Sequence, residues 1–144
     1  GGCASRPGNV YSAVISRRLD LDYINLGFSG SAKGETAMVD YIASLPMNVF
    51  VSDYDHNSSE RNLAKTHCAL YEKIRSAHPD IPYIMVSKAD IENAPAENLR
   101  RRDTIITHFH RAKAQGDTKV YFVDGATIYD KKTGKNIFNT KVRL

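Results

Sequence analysis

Along the chain, apolar positions at helical spacing alternate with short apolar runs, a pattern that predicts an α/β domain with a parallel sheet rather than a bundle or a sandwich. Tyr11, Val14, Ile15 and Leu19 fall at the spacing of a first helix and would bury one of its faces. Tyr23-Ile24-Asn25-Leu26 reads as a buried strand delivered into the small-residue turn Gly27-Phe28-Ser29-Gly30-Ser31. A second helix is expected from Glu35 to Ala43, ending before Pro46. Asn48 to Asp53 has a β-rich centre and runs into the polar turn Tyr54-Asp55-His56-Asn57-Ser58. Ser58 or Ser59 can cap the next helix by accepting a bond from an orphan backbone N–H. Leu63, His67, Leu70, Tyr71 and Ile74 then repeat as one buried stripe, which Pro79 and Pro82 end.

Tyr83 to Ser87 and Lys119 to Asp124 read as two further strands. The long helix between them ends near Gly116 and has an expected inner face of Leu99, Ile106 and Phe109. The last residues, 126–144, change character: Ile128-Tyr129-Asp130 and Asn136-Ile137-Phe138 flank a charged turn, a hairpin-like appendage. All four expected strands feed polar turns at their carboxyl ends, where open α/β sheets place their ligands, so function is to be sought there.

Composition narrows the classes without naming a chemistry. The chain of 144 residues carries 20 Lys and Arg against 16 Asp and Glu, and the excess is dispersed apart from Arg100-Arg101-Arg102 and Lys131-Lys132. No nucleic-acid partner is expected on that basis. No apolar run approaches the roughly 20 residues of a membrane-spanning helix. Cys3 and Cys68 cannot build a multi-bridge framework or a cysteine-rich zinc module. The sequence begins Gly1-Gly2-Cys3, so a secreted or periplasmic location would follow if a signal peptide precedes it.

Two turns hold the candidate chemistry. A strand followed by a glycine turn can aim backbone N–H groups at an anion or a carbonyl oxygen. Gly27 to Ser31 nevertheless misses the nucleophile elbow, since Ser31 stands where Gly-x-Ser-x-Gly needs its second glycine. It also misses the phosphate loop, because Lys33-Gly34 reverses Gly-Lys, and it lacks the three-glycine dinucleotide fingerprint. A tight turn that needs a positive φ explains it equally well.

Asp53-Tyr54-Asp55-His56-Asn57 packs two carboxylates, an imidazole and an amide into five residues. Its oxygens and nitrogens could ligate a metal, although neighbouring loop residues rarely point at one ion and no partner cluster has matching spacing. Asn, Asp and Ser also favour solvated turns and caps without any function. In a third reading Asn57 supplies a side-chain N–H to a developing oxyanion. Asn57-Ser58-Ser59 matches the glycosylation sequon, which is incompatible with a buried catalytic amide. His67, His78, His108 and His110 are explained by helix faces and ends.

Taken jointly, the glycine turn after one strand and the asparagine turn after the next resemble the second and third blocks of the SGNH (GDSL-like) hydrolase superfamily. The opening Gly1-Gly2-Cys3-Ala4-Ser5-Arg6-Pro7-Gly8-Asn9 looks like the stretch just after the nucleophile block in one branch of it. The resemblance covers roughly residues 1 to 125 and rests on three ordered motifs. It implies a three-layer α/β/α fold with a flavodoxin-like parallel sheet. It also implies that residues 1–144 are a single α/β domain, incomplete at both ends.

By motif position, Gly30 is similar to the oxyanion-hole glycine and Asn57 to the oxyanion-hole asparagine. The superfamily's serine lies in a Gly-x-Ser motif that would precede Gly1, and its histidine base in a late Asp-x-x-His motif. No histidine follows His110. The implied activity is a serine esterase or acylhydrolase cleaving short-chain acyl or acetyl esters, on a small molecule or a carbohydrate, without metal or organic cofactor. The segment by itself is expected to be inactive. The alternatives are a non-catalytic glycan-binding α/β module and a flavodoxin-like flavin or phosphate binder, against which the failed phosphate motifs weigh.

Overall fold

A computed structural model describes residues 5–89 and 95–128. The chain divides into two compact units, Gly1–Ala32 and Lys33–Leu144.

In the smaller unit a 3-10 turn, Pro7–Asn9, leads into helix α1, Tyr11–Leu19. Helix α1 stops where Asp20 takes a left-handed conformation, φ 52°, and the Leu21 N–H returns to the Ser16 carbonyl at 3.0 Å. The helix forms as its spacing predicts, but its expected face does not bury. Ala13 is the buried position, whereas Tyr11, Ile15 and Leu19 are exposed. Periodicity marks which side chains can share a face, and burial further requires a partner surface. The expected strand Tyr23–Leu26 is also absent: residues 21–28 have no regular structure, and Tyr23 and Ile24 are exposed. β-propensity produces a strand only where a neighbour completes the ladder, and this segment has none among the described residues.

The larger unit holds α2 (Thr36–Ser44), β1 (Phe50–Ser52), α3 (Glu60–Ala77), β2 (Tyr83–Val86), α4 (Pro95–Ala114) and β3 (Val120–Val123). The strands pair in parallel in the order β1-β2-β3, with Phe50 opposite Tyr83 and Tyr83 opposite Val120. Along β2, Tyr83 and Met85 are fully buried while Ile84 and Val86 are half-buried, the alternation of a sheet with one well-covered face. Register places Val120 and Phe122 on the same face as Tyr83 and Met85. Helices α3 and α4 cover it: Tyr71 meets Tyr83 edge-on at 5.2 Å and Phe109 meets Phe122 at 6.0 Å between ring centroids.

All five residues of the expected α3 stripe, Leu63, His67, Leu70, Tyr71 and Ile74, are buried, and the cap is Ser59, which accepts the Asn62 N–H at 3.3 Å. On α4 the buried positions are Asn98, Ile105 and Ala112. Leu99, expected inside, is 44% exposed, and Ile106 and Phe109 are half-buried. The inner face is thus rotated by one residue, because a polar side chain, Asn98, occupies an inward position that an apolar count passes over. Of the hairpin-like appendage expected over 126–144, Ala126 and Thr127 belong to a 3-10 turn, Gly125–Thr127, and residues 129–144 lie outside the described residues.

At the amino ends of the strands Arg75 closes the structure. Its guanidinium donates to Asp117 at 2.9 Å and to the carbonyls of His78, Pro79 and Ile81 at 3.2, 3.1 and 2.6 Å. Burial pushes the Asp117 carboxyl up, but the Tyr71 hydroxyl, the Lys119 N–H and Arg75 together hold it below the usual carboxylate range. No helix among the described residues is long and apolar enough to cross a membrane.

Candidate functional site

The asparagine turn is built onto the end of β1. Residues Asp55–Asn57 form a single 3-10 turn, closed by the Asn57 N–H to the Tyr54 carbonyl at 3.0 Å and the Ser58 N–H to the Asp55 carbonyl at 3.2 Å. Both flanks are anchored. Tyr54 is buried, its hydroxyl 3.1 Å from Thr66 Oγ1, and burial pushes its pKa up to about 12. Ser58 is buried and its Oγ accepts from Asn62 Nδ2 at 3.0 Å; the same amide donates to the Lys33 carbonyl at 3.1 Å. Between these anchors the half-buried Asn57 side chain makes no hydrogen bond among the described residues.

Asp55 lies beneath the turn with 1% exposure. Its Oδ2 accepts the Lys88 N–H at 2.9 Å, and its Oδ1 is 3.3 Å from His56 Nδ1. The ligand atoms of Asp53, Asp55 and His56 lie within 4.8 Å of one another. Within this group Asp55 and His56 already contact each other, and the second Asp55 oxygen is taken by the Lys88 N–H.

In the smaller unit the glycine turn takes the expected form. The Ser31 N–H bonds the Phe28 carbonyl at 2.8 Å, with Gly30 at φ 68° in the third position, as in a type II turn. The turn's own hydrogen bond leaves the Gly30 N–H unused, and that N–H has no partner among the described residues. A Cβ at Gly30 would meet nothing within 4 Å, so the glycine answers to conformation rather than to crowding.

Further residues at the carboxyl edge of the sheet carry no sequence signature. Ser87 is buried and its Oγ accepts the Gly125 N–H at 2.9 Å. Asp124 receives two guanidinium bonds from Arg102, one of them at 2.8 Å, and the Ala126 N–H at 3.1 Å. Arg102 holds the Asp124 carboxyl below its ordinary range against the opposing effect of burial. Gly125 is required by close approach: a Cβ there would lie 2.1 Å from the Ser87 carbonyl oxygen and 2.3 Å from that of Lys88. The run Arg100-Arg101-Arg102, the densest positive charge in the described part, pairs internally with Glu60, Glu97 and Asp124.

His67 and His108 lie 41 positions apart in sequence, yet their Nδ1 atoms are 3.1 Å apart, with the rings stacked at 5.2 Å. His67 also stacks on Tyr54 at 6.0 Å, and its buried Nε2 has no hydrogen-bond partner among the described residues. Burial, reinforced by His108 and partly offset by Asp55, lowers the His67 pKa to about 3. Burial lowers that of His108 as well. Nothing in the spacing of the two residues announces this contact.

Comparison with known proteins places these features. The chain is similar to the crystal structure of a putative GDSL-like lipase from Bacteroides ovatus, with a TM-score of 0.78, 23% identity, and coverage of 92% of this chain and 42% of that one. It is also similar to the salicylyl-acyltransferase SsfX3 from a tetracycline biosynthetic pathway, with a TM-score of 0.75, 18% identity, and coverage of 92% and 44%. The chain therefore spans less than half the length of either structure. At these identities the likeness establishes the fold class, three-layer α/β/α around a flavodoxin-like parallel sheet. No curated protein sequence matches the chain. Residues 1–140 match the GDSL-like Lipase/Acylhydrolase family, a span that holds both the glycine and the asparagine turn, and the chain belongs to that family.

Proposed function

We propose that this chain contributes the carbonyl-polarising half of a serine ester hydrolase, with the Gly30 main-chain N–H and the Asn57 carboxamide as its oxyanion donors. The observation that carries the reading is the state of Asn57: a carboxamide on an anchored turn at the carboxyl edge of the sheet, with no hydrogen bond to any described residue. Donors fixed in advance, where negative charge will develop, stabilise a transition state without reorganisation. The Gly30 N–H, left over by its own turn, supports the same reading.

In the proposed reaction a serine hydroxyl from a Gly-x-Ser motif attacks the ester carbonyl and gives its proton to a histidine. The carbonyl oxygen becomes an oxyanion that accepts from the two donors. Collapse expels the alcohol, which takes the proton from the histidine, and water then resolves the acyl-enzyme by the same route. Every proton and electron pair is accounted for without metal or organic cofactor. The substrates are short-chain acyl or acetyl esters, with an acetylated carbohydrate as one class. A second reading, acyl transfer, is favoured by the likeness to a salicylyl-acyltransferase. An acceptor alcohol would there replace water in the second half, and product analysis with and without added alcohol separates the two.

The test is steady-state kinetics on p-nitrophenyl acetate and butyrate with a polypeptide that joins this chain to a Gly-x-Ser serine and an Asp-x-x-His histidine. Asn57→Ala should lower kcat by about 100- to 1,000-fold with little change in KM, the signature of one lost oxyanion donor. Equal kcat in the two proteins would remove Asn57 from the reaction, and absence of turnover on any acyl ester would defeat the assignment.

A further inference from the structure

We propose that Asp55 is a positioning residue for Asn57: its buried carboxyl group ties the turn that carries Asn57 to the main chain just beyond β2. The inference rests on the reading of Asn57 as an oxyanion donor. The pairing of β1 with β2 ends at Ser52 opposite Met85. Past that point the Lys88 N–H has no ladder partner on β1, and a half-buried main-chain donor is better satisfied than left open. Asp55 Oδ2 accepts it at 2.9 Å and so continues the link between the two strand ends through a side chain. A carboxyl group with 1% exposure needs such compensation to be tolerated at all.

The geometry transmits this link to Asn57. Asp55 and Asn57 are the two ends of one 3-10 turn, so a shift of the first carries the second with it. The remaining anchors, Tyr54 and Ser58, bind the turn to α3 through Thr66 and Asn62. Asp55 Oδ2 adds a tie of a different direction, to the main chain just beyond β2. Without it the turn keeps its helix contacts but can tilt about them, and misplacement of a donor by about 1 Å is enough to cost two orders of magnitude in rate.

The experiment compares Asp55→Ala with Asp55→Asn in the polypeptide used for turnover. The asparagine oxygen can still accept the Lys88 N–H, whereas alanine cannot. Asp55→Ala should lower kcat by about 10- to 100-fold at unchanged KM, and Asp55→Asn should recover the rate to within about threefold of the parent. Amide exchange at Lys88 should accelerate in the alanine variant alone while Met85 and Val86 stay protected, and the Asn57 side-chain amide resonances should move. These NMR readouts require no catalysis, so a parent protein without esterase activity defeats the esterase reading while the Asp55 contact is still decided. Should Asp55→Ala fail to fold, Asp55→Ser, whose shorter oxygen cannot reach the Lys88 N–H, takes its place. Unchanged kcat together with unmoved Asn57 resonances, or equal loss in the alanine and asparagine variants, overturns the proposal.

Discussion

Acid should destabilise this protein through His67, well above the pH at which its carboxylates begin to protonate. The imidazole is 1% exposed, and burial together with the neighbouring His108 lowers its pKa to about 3, against about 6.5 in an unfolded chain. Between those values the unfolded state binds a proton that the folded state refuses, so stability rises with pH and is lost as pH falls from about 6.5. Because pH 5 lies far above the folded value, the loss there is set by the unfolded pKa: about 2 kcal/mol relative to pH 7, with a local slope of about 1.4 kcal/mol per pH unit. His108, also shifted downward by burial, adds to the slope with the same sign. The contact itself sets the limit, since one Nδ1 must donate and the other accept across 3.1 Å, and two imidazolium rings would leave two donors face to face. Urea unfolding at 25 °C from pH 7.5 to 4.5 measures the slope. His67→Phe, which can fill the layer between the Tyr54 and His108 rings without a titrating nitrogen, should flatten it by half or more. Equal stability at pH 5 and pH 7, or a His67 ring resonance titrating near 6.5, would refute the reasoning.

Two further outcomes follow from the glycines at the turns. Gly30→Ala keeps the proposed N–H donor and meets open space, so it should cost about 1 kcal/mol of stability for a side chain at positive φ and leave kcat within a few-fold; a collapse of kcat without unfolding would count against a main-chain donor at this position. Gly125→Ala should lower the thermal midpoint by an amount corresponding to about 3 kcal/mol, since the new Cβ would sit 2.1 Å from a backbone oxygen that cannot rotate away; a melting curve unchanged from the parent would contradict the packing described.

What the sequence discloses divides along a physical line. The stripe of helix α3 is readable in full and its cap to within one residue, Ser58 or Ser59, because its five buried residues repeat at one period and their partner surface is the sheet that follows. The strands β1, β2 and β3 were readable for the same reason: each is short, apolar and bounded by turns. The segment from Tyr23 to Leu26 has similar composition, but a strand depends on a neighbour and no local pattern encodes one. Helix α4 shows the limit of counting apolar residues, because Asn98 points inward and turns the face away from Leu99. The two proposed donors, Gly30 and Asn57, are singled out by motifs because each lies in a turn whose residue types are locally constrained. No motif marks Lys88, Ser87 or Gly125, whose roles depend on main-chain atoms meeting across strand ends, or the Arg102–Asp124 pair, which joins residues 22 positions apart.

The two ends of the sheet are built to opposite effect. At the amino end Arg75 gathers four carbonyls and a carboxylate, Asp117 binds a hydroxyl, a guanidinium and an N–H, and the hydrogen-bonding capacity of these groups is taken up within the protein. The carboxyl end has a comparable density of bonds, yet they run behind the turns: Asp55 to Lys88, Ser87 to Gly125, Arg102 to Asp124. Those bonds hold the turns while leaving the Asn57 carboxamide without a partner among the described residues. A polar side chain kept free on a turn anchored from both flanks gains nothing for stability, since ordering it costs entropy that no bond within the described residues offsets. Such an arrangement is understandable if the missing partner is transient, and a developing oxyanion is a partner of that kind.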